Sequence, residues 1–205
     1  TGSSSFNVVN IMKFNPKKIS IITVCYNAEQ SIEKTIQSVL LQTYRHVEHI
    51  IIDGQSKDST MLIVQKYKDK LSLVISEPDH GIYDAMNKGI DHATGDILYF
   101  LNADDRLYDH NAIVDIMNKF TDNDNIDLIF GKLEFENVPW DHQIIVNELL
   151  SSTYKDRRDI LLHIPPQQAI FARRIVFEQV GKFDTNYTFG ADTEWFTRCL
   201  KKNVN

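Results

Sequence analysis

Positive charge is in short supply in this chain. Its 205 residues carry 22 Lys and Arg against 28 Asp and Glu, a formal net charge of −6. Nucleic-acid binders normally present a basic face, so that class is disfavoured. By the same count, an anionic substrate has to be held by a metal ion or by local cations. Cysteine is limited to two residues, Cys25 and Cys199. They lie far apart, the first in an apolar strand pattern and the second in a helical one. They read as core thiols of a reducing compartment rather than as a disulfide. No apolar run approaches the roughly 20 residues of a membrane span, and no signal peptide is visible. Asn186-Tyr187-Thr188 fits the glycosylation pattern but has no secretion signal to accompany it. Repeats and low-complexity segments are absent. What is present suits one globular domain: 42% apolar and 24% charged residues supply a normal core and exclude global disorder. Residues 1–11, ahead of Met12, are expected to be a leader outside the fold, with 12–205 as a single domain.

The most informative stretch is Gly95-Asp96-Ile97-Leu98-Tyr99-Phe100-Leu101-Asn102-Ala103-Asp104-Asp105. A glycine turn feeds a short apolar run that ends in a carboxamide and two carboxylates. Such a run reads as a buried parallel strand, and open α/β sheets bind ligands outside the carboxyl ends of their strands. Hard oxygen ligands placed there suit Mg²⁺ or Mn²⁺, an ion that shares its coordination with substrate phosphates. Further strands are predicted at Ile19–Cys25, Val47–Asp53, 71–76, 126–131 and 168–172. Helices are predicted from Ser31 towards Tyr44, and from an Asp58 or Ser59 cap through a segment carrying Leu62, Ile63, Lys66 and Tyr67. Others are predicted over 82–93 with Met86 and Ile90 inward, over 111–120, over Arg174–Val180, and over Ala191–Lys201 with Trp195, Cys199 and Leu200 buried. Val138-Pro139-Trp140 and Ile164-Pro165-Pro166-Gln167-Gln168 read as loops. Strand and helix alternating through short connections imply right-handed crossovers and a largely parallel sheet. Polar clusters fall at four successive strand ends: Tyr26-Asn27, Asp53, Glu77 to Asp79, and Asn102 to Asp105. Together they imply a shared rim around a ligand.

An ordered set of segments begins with residues 19–27 and Val39-Leu40-Leu41-Gln42-Thr43-Tyr44. It continues through Ile51-Ile52-Asp53-Gly54-Gln55-Ser56-Lys57-Asp58-Ser59-Thr60 and Glu77-Pro78-Asp79-His80-Gly81-Ile82-Tyr83-Asp84-Ala85-Met86-Asn87-Lys88-Gly89-Ile90. It closes with Ala93-Thr94-Gly95-Asp96, Asn102-Ala103-Asp104-Asp105, Phe183-Asp184 and Gly190-Ala191-Asp192-Thr193-Glu194-Trp195. The set resembles family 2 glycosyltransferases of the bacterial polysaccharide-building type. The resemblance implies a GT-A fold, a Rossmann-like α/β sheet flanked by helices. A nucleotide-sugar half spans about 17–107 and an acceptor half about 108–205. It implies an inverting transfer of a sugar from a nucleoside diphosphate sugar, with a UDP-sugar favoured, to a glycan or lipid-linked saccharide in surface-polysaccharide synthesis. The expected place is the cytoplasm, with peripheral contact at the inner face of the cell membrane left open. The predicted last helix ends close to residue 205, so any C-terminal acceptor or membrane-contacting element is expected to be absent from this sequence.

The resemblance also implies roles. Asn102, Asp104 and Asp105 match the metal motif. Its first position is often Asp but is an amide here, so the metal is placed on Asp104 first and Asp105 second; a capped turn is the plainer reading. Asp53 matches a position that contacts uracil, although an Asp-Gly turn needs no ligand. Thr23 and Tyr26 flank the base, Tyr26 by stacking or as ordinary partly exposed packing. Asp79, Asp84 and Asn87 stand around the third strand end. Many relatives carry Arg where this chain has Met86, which leaves Lys88 as a nearby cation, about 100° around the helix from Asn87. Asp192 is the candidate base: in an in-line displacement the acceptor hydroxyl loses its proton to a carboxylate opposite the leaving diphosphate. It opens a predicted helix, whose dipole favours its ionised form. Glu194 is the nearest competitor, and a capping role is the alternative. Gln168 is a candidate for substrate hydroxyls, although relatives often have His-Gln where this chain has Gln167-Gln168, and His163 sits nearby. Two other functions compete. A sugar nucleotidyltransferase needs a Gly-rich basic loop after the first strand, where this chain has Tyr26-Asn27-Ala28-Glu29-Gln30. A catalytically silent nucleotide-sugar module is marked by loss of the Asp192 carboxylate, which is present.

Overall fold

The computed structural model describes residues 17–131, 165–202 and 204. The leader at 1–11, the loop around 138–140, His163 and Ile164 lie outside the described residues. Seven residues form β1 (Ile19–Cys25), five of them apolar, with Ser20 and Thr23 between; every one is buried. β1 runs parallel to β2 (Val47–Asp53), from Ile19 opposite Val47 to Cys25 opposite Asp53. β3 (Leu73–Ser76) extends the sheet beyond β2, and β4 (Ile97–Phe100) flanks β1 on the other side, both parallel. The order is β3-β2-β1-β4-β6-β5, with β5 (Leu128–Phe130) and β6 (Ile170–Arg173) from the second half of the chain. β6 is antiparallel to both β4 and β5. The fold is therefore GT-A, a mixed and mostly parallel sheet between helices. Tyr99 of β4 stacks on Phe171 of β6 at 4.0 Å between ring centroids, 5° from parallel, and holds this junction.

Because both faces of the central strands are covered, they read as apolar runs rather than as alternating patterns. On one face, Ile22, Val24, Ile50 and Ile52 meet α3 (Ile82–His92), α5 (Arg174–Val180) and α6 (Ala191–Lys201). On the other, Ile19, Ile21, Cys25 and Ile51 pack with α1 (Ile32–Leu40), α2 (Thr60–Lys66) and α4 (Ala112–Asp122). Cys25 and Cys199 are both buried free thiols. In α2, Thr60 and Val64, one turn apart, are buried, Met61 and Ile63 are partly buried against the same cluster, and Leu62 is 72% exposed. The first amide of this helix is held by Asp58, which accepts from Thr60 N at 3.0 Å; Ser59 makes no side-chain cap. The strand predicted at 168–172 begins two residues later, because Gln167–Ala169 forms a 3₁₀ turn. Among the described residues no helix is long and apolar enough to cross a membrane.

Candidate functional site

β1 and β4 are neighbours in space, but their connections leave the sheet in opposite directions. That makes their carboxyl ends the switch point of the sheet, where a ligand cleft is expected. A cleft of about 720 Å³ opens there, walled by residues 24–31 at and after the end of β1, Asn102 to Asp104 after β4, Asp58, and Ile82 at the start of α3. The loops that form it are tied to one another. Asn27 N donates to Ser56 Oγ at 2.8 Å and Lys57 N donates to Asn27 Oδ1 at 2.8 Å. Ala28 N donates to Thr60 Oγ1 at 2.7 Å, and Ser59 N to Glu29 Oε2 at 2.8 Å. Asn27 and Gln55 hold left-handed backbone at φ 51° and 62°, an uncommon conformation kept in place by this network. The polar residues of the 53–60 segment are thus mainly the scaffold of the rim. Asp58 is representative: burial works against its charge, but Thr60 and the Glu29 amide hold its carboxyl below the usual range.

Tyr26, Gly54 and Asp79 meet at the ends of three adjacent strands. Tyr26 is 61% exposed at the mouth. A methyl group placed on Gly54 would lie 2.4 Å from Asp79 Oδ2 and 3.4 Å from Tyr26 Cδ2, so only glycine lets the carboxylate and the ring close over the β2 turn. Behind them Asp53 is fully buried. Its carboxylate accepts from Ser76 Oγ at 2.6 Å, from Ser56 N at 3.0 Å, and from Ser56 Oγ. Asp53 anchors the turn, with its oxygens engaged inside the protein. Thr23 lies a step deeper. It is fully buried on the α1 side of the sheet, 3.1 Å from His49 Nε2, because residues alternate faces along β1. Cys25 rather than Thr23 reaches the wall of the cleft.

The acidic loop after β4 is clamped by α1, whose Thr35 hydroxyl lies 2.8 Å from Ala103 O and 2.7 Å from Asp105 O. Asp104 is exposed and faces the cleft. Asn102 Oδ1 and Asp105 Oδ2 are buried without a hydrogen-bond partner. Burial, reinforced by the Asp104 charge and partly offset by Asn102, pushes the Asp105 carboxyl up to about 6. Two orphaned oxygens beside an exposed carboxylate fit a hard divalent cation. Among the described residues no group of three or more His, Cys, Asp or Glu is placed to enclose one. The set therefore suits an ion that completes its shell with phosphate and water.

α3 carries the remaining predicted residues. Asp84 accepts from His80 N at 3.0 Å and so ties down the turn that leads into its own helix. Lys88 lies 3.0 Å from Glu77 and 3.5 Å from Asp84, and donates to Pro78 O at 2.7 Å; the predicted diphosphate cation is engaged by its own loop. Asn87 is a clamp: Nδ2 donates to Phe183 O at 2.9 Å and Oδ1 accepts from Phe183 N at 3.0 Å. Asp192 lies in the first turn of α6, where Tyr83 Oη donates to its Oδ1 at 2.9 Å. Its competitor Glu194 is held by Arg198 through contacts of 2.8 and 2.9 Å. Gln167 donates to Phe100 O at 3.2 Å and is buried, while Gln168 is half-buried. Trp195 is core, stacked on Phe177 at 4.5 Å. Sequence reasoning placed Asn27 on the rim but passed over Cys25, Ile82 and Tyr83 as site residues. Tyr83 and Asp192 are 109 residues apart, so no local pattern links them.

Known proteins share this fold. The sequence matches the Glycosyl transferase family 2 profile over residues 20–181. It is 29% identical over 183 residues to an uncharacterised glycosyltransferase of Mycobacterium tuberculosis (strain CDC 1551 / Oshkosh), covering 88% of this chain and 68% of that one. It is 31% identical over 186 residues to a PGL/p-HBAD biosynthesis glycosyltransferase of Mycobacterium bovis (strain BCG / Pasteur 1173P2), covering 88% and 69%. Among solved structures, S. aureus TarS 1-349 in complex with UDP superposes with a TM-score of 0.71 at 21% identity, over 87% of this chain and 53% of that one. The mannosyltransferase PcManGT from Pyrobaculum calidifontis, in complex with GDP-Man and Mn²⁺, gives a TM-score of 0.66 at 19% identity, over 87% and 50%. This chain thus spans about half the length of the solved structures it matches.

Proposed function

As a member of glycosyl transferase family 2 this chain is a glycosyltransferase, and we propose that it moves a sugar, with inversion, from a UDP-sugar to a hydroxyl of a glycan or lipid-linked acceptor in surface-polysaccharide synthesis. The observation that carries this reading is the charge of the cleft. Its described wall holds Glu29, Asp58 and Asp104 and neither Lys nor Arg, so a diphosphate can enter only with a cation. Asp104 and Asp105, with Asn102 beside them, are the residues that would hold it, and a divalent ion bound there supplies the charge that stabilises a departing diphosphate. Tyr26 and Asp79 form the base-side wall, built on the turn that Asp53 anchors. Asp192 takes the acceptor proton as the acceptor oxygen bonds to the anomeric carbon. The bond from that carbon to the diphosphate oxygen breaks, and the diphosphate leaves with the electron pair. A single displacement inverts the centre. The donor half is assigned to about 17–107 and the acceptor half to about 108–205. UDP is favoured as the nucleotide because the TarS fold neighbour was solved with it.

A thermal-shift screen tests this. UDP with Mn²⁺ should raise the melting temperature, since a ligand at a hundred times its Kd stabilises the native state by about 2.7 kcal/mol. UDP without metal, or with metal in the Asp104→Ala variant, should do little. An absence of response to UDP, GDP and dTDP with Mn²⁺ would overturn the donor site, and pyrophosphate release from UTP would favour a nucleotidyltransferase.

A further inference from the structure

The first turn of α3 stands between the cleft and Asp192. Ile82 forms part of the cleft wall, and the next residue, Tyr83, turns to α6. Its hydroxyl makes two bonds there: it donates to Asp192 Oδ1 at 2.9 Å and accepts from Gly190 N at 3.1 Å. Gly190 is the residue on which α6 begins. One hydroxyl therefore fixes both the start of the helix and the carboxylate two residues into it. The ring is fixed as well, 5.7 Å from Phe183, the residue that Asn87 clamps from the same helix.

We propose that Tyr83 is the positioning residue of the transfer reaction, aiming the Asp192 carboxylate from the donor-binding half through the Oη–Oδ1 hydrogen bond. This rests on reading Asp192 as the base. With Oδ1 held by the phenol, Oδ2 is the oxygen left to face the acceptor hydroxyl. Other polar neighbours are few. Glu194 is occupied by Arg198, and the small cavity beside Asp192 is walled by uncharged side chains, among them Leu98, Phe100, Ile170, Phe183 and Trp195. Burial first, and then the bond and charge of Asp192, raise the Tyr83 phenol above its ordinary range, so it stays a donor at neutral pH. Because Tyr83 shares a turn with the cleft wall, a donor that shifts α3 also shifts the base.

A double-mutant cycle with UDP-GlcNAc as donor, read as UDP release, tests the assignment. Y83F keeps the ring and removes the hydroxyl. It should lower kcat about tenfold or more, the worth of a hydrogen bond to a charged group, with the KM for UDP-GlcNAc within about twofold. D192N should lower kcat about a hundredfold or more. The double variant should be no slower than D192N, because Tyr83 acts through Asp192. A Y83F enzyme with wild-type kcat, or losses that multiply in the double variant, would overturn the proposal. Wild-type turnover in D192N would overturn the base reading itself, and this proposal with it. An ultraviolet titration without donor reads the bond directly: the tyrosine signal missing in Y83F should ionise at lower pH in D192N than in wild type. An unmoved signal would show that the bond does not exist in solution.

Discussion

Gly54 shows how narrowly single atoms define the cleft. Its missing methyl is the space into which Asp79 Oδ2 reaches. In Gly54→Ala the flexible carboxylate has to swing out, which costs little stability but removes one wall beside Tyr26. The expected outcome is a melting temperature lowered by only a few degrees, about 1 kcal/mol, with the UDP-dependent thermal shift largely lost. A retained shift would mean that Asp79 does not shape the nucleotide site. Met86 is informative in the same way. It is 1% exposed and packed against the sheet, a place where an unpaired Arg would be costly to bury. This chain therefore has no cation at that point, Lys88 is engaged by Glu77 and Asp84, and in the proposed reaction the acidic loop after β4 is left to deal with the diphosphate charge. Both facts bear on a site read from sequence by residue type. Asp104 and Tyr26 stand where the strand-end rule put them, whereas Thr23, Asn87 and Lys88 are spent on internal bonds, since residue type does not reveal which atoms are already occupied.

At the scale of elements, α3 organises the molecule. It lies on the sheet closely enough that a methyl group on Gly89 would come 2.3 Å from Ile22 Cγ2. From there it reaches the cleft with Ile82, the candidate base with Tyr83, and the chain before α6 with Asn87. Asn87→Ala removes two hydrogen bonds and leaves the Phe183 amide and carbonyl unpaired. It should destabilise the protein by about 2 kcal/mol, measured as a fall in the urea midpoint with unchanged slope. A loss below about 0.5 kcal/mol would mean that the clamp is dispensable. Periodicity placed this helix, its length and its buried Met86 correctly, because packing against a sheet imposes a 3.6-residue stripe. In α2 the stripe is less legible, with Thr60 and Val64 buried and Leu62 exposed, because a helix of two turns is too short to define one.

For the whole molecule, the buried polar groups of the sheet set the response to acid. Glu48 sits against Lys18, Ser20 and Thr94; burial opposes its charge, but these partners hold its carboxyl down to about 2. That stability is present above the ordinary carboxylate range and is lost as the pH falls through about 2. His49, fully inside β2, is held neutral by burial, its imidazole lowered to about 3. The unfolded chain takes up this proton near pH 6.5, so stability is full above that value and falls progressively towards pH 3, by up to about 1.4 kcal/mol per pH unit. The melting temperature should therefore drop between pH 6.5 and 4, and more steeply in wild type than in His49→Gln; equal slopes would mean that His49 is not the source. The sequence by itself determined the α/β alternation, the strands Ile19–Cys25 and Val47–Asp53, the polar rim at the strand ends and the family resemblance, because hydrophobic period and turn chemistry are local properties. Only the tertiary structure decided that β6 joins β4 antiparallel, that Asp53 and Thr23 face inward, and that Tyr83 meets Asp192 across 109 residues. Such pairings are settled by which buried donors and acceptors can be satisfied together once the sheet has closed, and no local window of the chain contains both partners.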